Sequence, residues 1–415
     1  MMSQLVRHAL YILKKRWTQF WSVCMMQKTV YRSHSARNTQ RGFIMLTTLL
    51  LVALLAALGT YFFQRGMVHI PYMHVMVNRE KARMLALSGI EIAVGQLIEP
   101  EKEDKKDATA SQSSGAQAQP STAPTPSDSD EKKFAQRLIP LLNRWQKFTL
   151  KSAVDGIDGE IGIMIVAEDG KLPINEFYDF KKHTFKNVGK PQGDTQKLMQ
   201  DLCARIEKRL DGKGLFESLS SFLKERKEPL DDVTELILVP AFKNFKYAIF
   251  REPPHKTQAS VQQKQLSEKE QQAQRKKLFL TDLFTVASGQ ETLQPWAFSP
   301  SVQELFELAS AADNSAAQNK ERLAGALKNF KQKMTWPADW KASLGVLYGK
   351  DFTSLPNSIQ SMLDTTFEPM TFSVVIYSTV NGVTQRLFSI IERQKVATKA
   401  KKKSYIGKMK RLYWF

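Results

Sequence analysis

From Phe43 the chain reads FIMLTTLLLVALLAALGTYFF, 21 residues with neither a charge nor a proline. At about 1.5 Å rise per residue this run covers roughly 30 Å as a helix, the thickness of a bilayer's hydrocarbon core. Buried helices of water-soluble domains seldom stay uncharged for so long, so the pattern predicts a membrane-spanning helix over 43–63. Gly66 and Pro71 follow, and the missing amide of Pro71 predicts a kink or break. Helical spacing resumes from Met76 to Ile98, where Leu87, Ile90, Val94, Leu97 and Ile98 fall on one face. The N-terminal helix as a whole is therefore expected over 43–99.

Residues 100–132 are Ser, Ala, Pro and charge with no bulky apolar position, the composition of a disordered linker. Ordered patterns then return. Phe134 to Trp145 reads as a helix. GEIGIMIVAEDGKLPINEF reads as a hairpin: Ile161, Ile163 and Ile165 alternate, Asp169-Gly170 turns, and Leu172 and Ile174 start the return. Leu198, Leu202, Ile206, Leu210, Leu215, Leu219 and Leu223 carry helical periodicity. Asp232-Val-Thr-Glu235 has capping-box spacing and predicts a short helix that Pro240 ends. A second polar stretch, 252–277, is rich in Gln and Lys. Phe279 to Val286 suggests a strand, and Ser299–Leu308 and Ala316–Met334 suggest helices. Thr371–Thr379 and Gln385–Glu392 read as strands joined through Asn381-Gly382, a strong hairpin signal. The sum is an α+β fold, with a long N-terminal helix against an antiparallel sheet and a helical block between strands. The expected parts are 133–190 as the first half of the α/β domain, 191–251 as an inserted helical domain, 252–277 as a polar linker, 278–392 as the remaining insert and sheet, and 393–415 as a basic, solvated tail.

Charge sharpens this division. The net charge is +19, but eight Lys and Arg with no acid precede Phe43, and nine with no acid follow Glu392. Everything between carries only about +2 by the same count. A basic face on a folded domain, which nucleic-acid binding requires, is not indicated, and no nucleic-acid partner is expected. Of the two cysteines, Cys24 and Cys203, only Cys203 lies after the basic segment, so cysteine usage says nothing about redox compartment. No metal-binding Cys/His spacing, nucleophile elbow or phosphate-binding glycine loop occurs, and Asp155 and Asp158 lie in a glycine-containing turn. An enzyme is not expected.

The basic residues before the apolar run place the N-terminus in the cytoplasm and the bulk of the chain outside, by the positive-inside rule. A secretory signal peptide would explain the same features, and Ala56, Ala57 and Gly59 would suit its cleavage. However, Arg41-Gly42-Phe43 stands directly before the run, and a Gly followed by an aromatic residue at the start of a membrane helix is where prepilin peptidases cut. Residues 1–42 thus read as a prepilin leader, with a shorter leader if translation begins at Met25 or Met26.

Four places together resemble minor pseudopilin K, the general secretion pathway protein K of type II secretion systems. They are Arg41-Gly42-Phe43 with its apolar helix, the Ala-rich ARMLALSGIEIAVGQL over Ala82–Leu97, the acidic-glycine turn Glu168-Asp-Gly-Lys-Leu-Pro-Ile-Asn175, and Pro229-Leu-Asp-Asp-Val-Thr-Glu-Leu-Ile-Leu-Val-Pro240. The resemblance implies a type IV pilin-like fold and cleavage between Gly42 and Phe43, with N-methylation of Phe43. It also implies a single pass through the inner membrane, a periplasmic C-terminal domain, and a role at the pseudopilus tip with other minor pseudopilins as partners. The fifth residue after the cut is Thr47, where most pilin-like proteins carry an assembly glutamate; the pseudopilin resembled here lacks it. The helical-insert motif maps to Leu230, Asp232, Glu235, Leu236, Val239 and Pro240. Ala241 replaces the family's usual glycine, its acidic Asp-Trp segment is missing, and Leu293–Ala297 replaces its second Ile-Asn strand end. No cofactor is expected; calcium, bound in the family, has only Asp231, Asp232 and Glu235 as candidate ligands, and helix capping explains the same residues. The alternatives are a minor pilin of a type IV pilus or competence system, and a signal-anchored periplasmic binding protein.

Overall fold

The computed structural model describes residues 39–98, 126–189, 193–210, 212–253, 278–309, 317–397 and 403–415. Most of the leader, most of the 100–132 linker and nearly all of the 252–277 stretch fall outside them. The chain divides into two compact units, Met1–His74 and Val75–Phe415.

Helix α1 is assigned over Thr39–Leu97 without a break at Pro71. The expected break is absent. Proline's fixed φ lies in the helical range, so its cost is one missing hydrogen bond and the clash of its ring with the preceding turn, and the helical turns on both sides absorb it. In the first unit the described side chains of α1 are exposed, from Phe43 through Tyr72.

In the second unit a five-stranded antiparallel sheet has the order β1-β2-β7-β8-β9. Its strands are β1 (Trp145–Leu150), β2 (Gly159–Ala167), β7 (Thr371–Val380), β8 (Val383–Ala397) and β9 (Lys403–Trp414). The Asn381-Gly382 reading holds: Val380 pairs with Val383, and φ is +47° at Asn381 and +81° at Gly382, the left-handed pair a two-residue hairpin requires. Four sequence readings change. The segment Phe134–Trp145 is not one helix. Helix α2 (Pro126–Leu138) starts inside the stretch expected to be linker, and Trp145 already belongs to β1. The hairpin after β2 does not form, because β1 and β7 already occupy both of its sides. Instead β3 (Leu172–Pro173) leaves the sheet and pairs in parallel with β6 (Phe284–Thr285). The expected strand 279–286 is interrupted by the helical turn Leu280–Leu283, and only β6 pairs as a strand. Finally, residues 403–414 of the expected solvated tail form β9, which pairs with β8 from Leu387 to Ala397.

Between β3 and β7 lies mostly helical structure. A small hairpin, β4 (Tyr178–Asp179) with β5 (Thr184–Phe185), precedes α3 (Thr195–Leu210) and α4 (Leu215–Glu225). Two 3₁₀ segments, Val233–Leu238 and Pro240–Tyr247, come next, followed by α5 (Pro300–Leu305) and α6 (Ala317–Lys328). Leu198, Leu202, Ile206, Leu215, Leu219 and Leu223 are buried as their spacing predicts. Pro240 opens the second 3₁₀ segment rather than ending a helix, because a first-turn residue needs no amide donor. One hydrophobic cluster joins α1, one face of the sheet and the helical insert. A smaller cluster on the other face gathers Met164, Val166, Val375, Tyr377, Phe388 and Ile390 under Phe250 and Tyr413.

Candidate assembly surfaces

The apolar stretch of α1 is the one helix among the described residues that is long and apolar enough to cross a membrane. Phe43 is 68% exposed, and the large apolar residues that follow it are also open. Thr47 donates its hydroxyl to the Phe43 carbonyl at 3.1 Å, so its polar atom is satisfied within the helix. It offers no carboxylate to a neighbouring charge. Gly42 and Phe43 lie in the first turns of α1.

In the second unit α1 lies on the sheet through small residues. Ala82, Ala86, Ile90, Ala93 and Leu97 are buried at spacings of four, four, three and four, while Leu87 stays 36% exposed. Of the large apolar residues on the expected face, Ile90 and Leu97 are buried and Val94 packs against the core, and the alanines complete the contact. A Cβ on Gly89 would stand 3.1 Å from Ile376 and 3.3 Å from Ile161, so the helix backbone nearly touches the sheet there. Ser378 fixes the register by donating to the Ala82 carbonyl at 2.6 Å.

The acidic-glycine turn is a buried junction between sheet and insert. Glu168 and Lys171 form an ion pair at 2.5 Å with both side chains almost fully enclosed. Lys171 also donates to the Ser373 hydroxyl at 2.8 Å on β7, and Thr285 on β6 donates to the other Glu168 oxygen. With three elements committed to it, the pair is fully desolvated and removing either partner strands a charge. Asp169 accepts from the Met370 amide at 3.1 Å, and burial pushes its carboxyl up to about 7. A Cβ on Gly170 would stand 1.8 Å from the Ala297 carbonyl oxygen, so only glycine lets the insert backbone pass. The glycine beside two acids was visible in the sequence. The partners Ser373 and Thr285 were not, because each is a lone hydroxyl more than a hundred residues away.

The insert motif is used for capping. Asp232 accepts from the Thr234 amide at 2.8 Å, and Glu235 reaches back to the Asp232 amide at 2.9 Å, completing the box. The second Glu235 oxygen pairs with Arg226 at 2.5 Å, and the second Asp232 oxygen pairs with Arg411 on β9 at 3.4 Å. Asp231 donates its amide to Glu235 at 2.7 Å. Leu236 and Val239 are fully buried and Leu230 nearly so. Among the described residues no group of three or more His, Cys, Asp or Glu is placed to hold a metal ion. Tyr413 stands beside Asp232, and burial with that neighbouring charge raises its hydroxyl pKa. It closes a small cavity that also touches Glu168, Lys171, Asp232 and Phe284.

No described protein family matches the chain, and no curated protein matches it. Among solved structures, the chain is similar to one in the crystal structure of the GspK-GspI-GspJ complex from the enterotoxigenic Escherichia coli type 2 secretion system. The TM-score is 0.34 and the identity 12%, over 85% of this chain and 99% of that chain.

Proposed function

We propose that this chain is a pilin-type assembly subunit: a non-catalytic, single-pass inner-membrane protein whose N-terminal helix enters a helical filament core. More narrowly, it is the minor pseudopilin K of a type II secretion system, acting at the pseudopilus tip with other minor pseudopilins. The observation that carries this is helix α1. Its first part is an exposed, uncharged run directly behind Arg41-Gly42. Its second part supplies the sheet's core through Ala82, Ala86, Ile90, Ala93 and Leu97. A cleavable secretory signal would have no need to continue into the fold's own core. The absence of a glutamate at Thr47 supports the tip position, because this subunit would not need to neutralise the N-terminus of another subunit ahead of it.

The subunit assignment is tested by co-expression with the other minor pseudopilins of the same secretion system in an inner-membrane preparation. A stable complex that co-purifies through the folded domain is expected. Incorporation along the length of a type IV pilus, with no such complex, would favour the minor-pilin alternative.

A further inference from the structure

The long free edge of the sheet points to a partner. Strand β9 ends the order β1-β2-β7-β8-β9, and among the described residues no strand pairs with its outer side. Every second residue of β9 therefore turns its amide and carbonyl away from β8. The strand is 12 residues long, twice the length of β1 at the opposite edge. It is firmly held from within. A Cβ on Gly407 would lie 3.0 Å from Val94 of α1, Arg83 of α1 stacks on Trp414 at 5.2 Å, and Tyr413 stacks on Phe388 at 5.0 Å. Yet Ile406, Met409 and Leu412 remain 50%, 44% and 39% exposed. A long, apolar, unpaired edge is a template for another strand unless something blocks it.

What blocks it here also selects. Residues 403–414 contain Lys403, Lys408, Lys410 and Arg411 and no acid. Two copies of β9 side by side would set like charges against each other, which disfavours self-pairing. An extended segment that alternates acidic and apolar residues meets no such penalty: its carboxylates face Lys408, which is exposed, and Lys410, which is exposed but already paired with Glu392 at 2.7 Å, and its apolar residues cover Met409 and Leu412 on the other face. We propose that the outer edge of β9 is a strand-addition site for an acidic, extended segment of a partner protein. Main-chain hydrogen bonds supply the affinity and the cation row the selectivity.

The test uses the detergent-solubilised full chain and a peptide of alternating Glu and Val, about ten residues long to match a strand. Saturable binding that weakens with salt is expected, with new amide-exchange protection confined to β9. A Lys-Val peptide of equal length is expected to bind at least about tenfold more weakly, and the K408E/K410E variant is expected to reverse that preference. Unchanged far-ultraviolet dichroism is the control for folding; if the variant misfolds, the wild-type exchange map and the two peptides decide alone. Equal binding of both peptides, protection elsewhere than β9, or binding only to phosphatidylglycerol vesicles would overturn the proposal.

Discussion

Gly170 and Asp169 sit side by side in the buried turn and answer to different physics. At Gly170 the constraint is space. With the Ala297 carbonyl 1.8 Å from where a methyl carbon would stand, Gly170→Ala must displace the insert backbone. It is expected to destabilise the protein by about 3 kcal/mol, the upper end of ordinary overpacking, read as a lowered urea midpoint. At Asp169 the constraint is charge. The carboxyl titrates near 7 in the folded protein against an ordinary 3.8, because burial disfavours its anion. Below about pH 4 folded and unfolded chains both hold the proton; up to about pH 7 only the folded chain keeps it. Stability contributed by this group therefore falls as pH rises through that window and levels off above it. Asp169→Asn keeps an acceptor for the Met370 amide and removes the titration, so the variant should gain on the wild type by a few kcal/mol between about pH 4.5 and 7.5. Comparing the two proteins cancels the opposite slope from depressed carboxylates such as Asp339 and Glu392. A constant difference across the range would show that the Asp169 carboxyl is not held protonated. The sequence displayed the acid-acid-glycine triplet but not its enclosure, since burial here depends on residues 294–299 folding back over the turn.

At the scale of elements, short-range chemistry was legible and long-range packing only in part. Asn381-Gly382 and Asp232…Glu235 act within a few residues of themselves, and both form as their spacing implies. Replacing Asp232 with Ala should cost roughly 0.5–2 kcal/mol, the usual value of an N-cap, with an added loss from the Arg411 pair on β9. The packing face of α1 was legible in part: Ile90 and Leu97 are buried and Val94 packs on the core, while Leu87 stays exposed and the buried Ala82, Ala86 and Ala93 carry no apolar-size signal. Where helix and sheet approach closely, Ala86 and Gly89 are contact residues and Leu87 is left outside. The contrast is testable on one helix. Ala86→Leu should cost about 1–3 kcal/mol by overpacking against the sheet, while Leu87→Ala, one position on and 36% exposed, should cost less than about 1 kcal/mol. Equal thermal shifts for the two would contradict the buried-alanine face. Strand β9 was hidden for another reason: its lysines resemble a solvated tail, and of its aromatic partners Phe388 lies on β8 and Phe250 far away in sequence.

The whole molecule joins an exposed apolar helix to an α+β domain, and the proposed function predicts where the chain is cut. If α1 is an assembly helix, processing must spare all of it and remove only the basic segment before it. Gly42→Leu, which blocks the small-residue side of the cut, should leave the precursor unprocessed while the domain still folds. The most direct measurement is the intact mass and N-terminal sequence of the mature protein from cells that contain prepilin peptidase. The account predicts a chain that begins at N-methylated Phe43 and keeps the entire apolar run; a retained leader, or an N-terminus generated near Ala57, would contradict it.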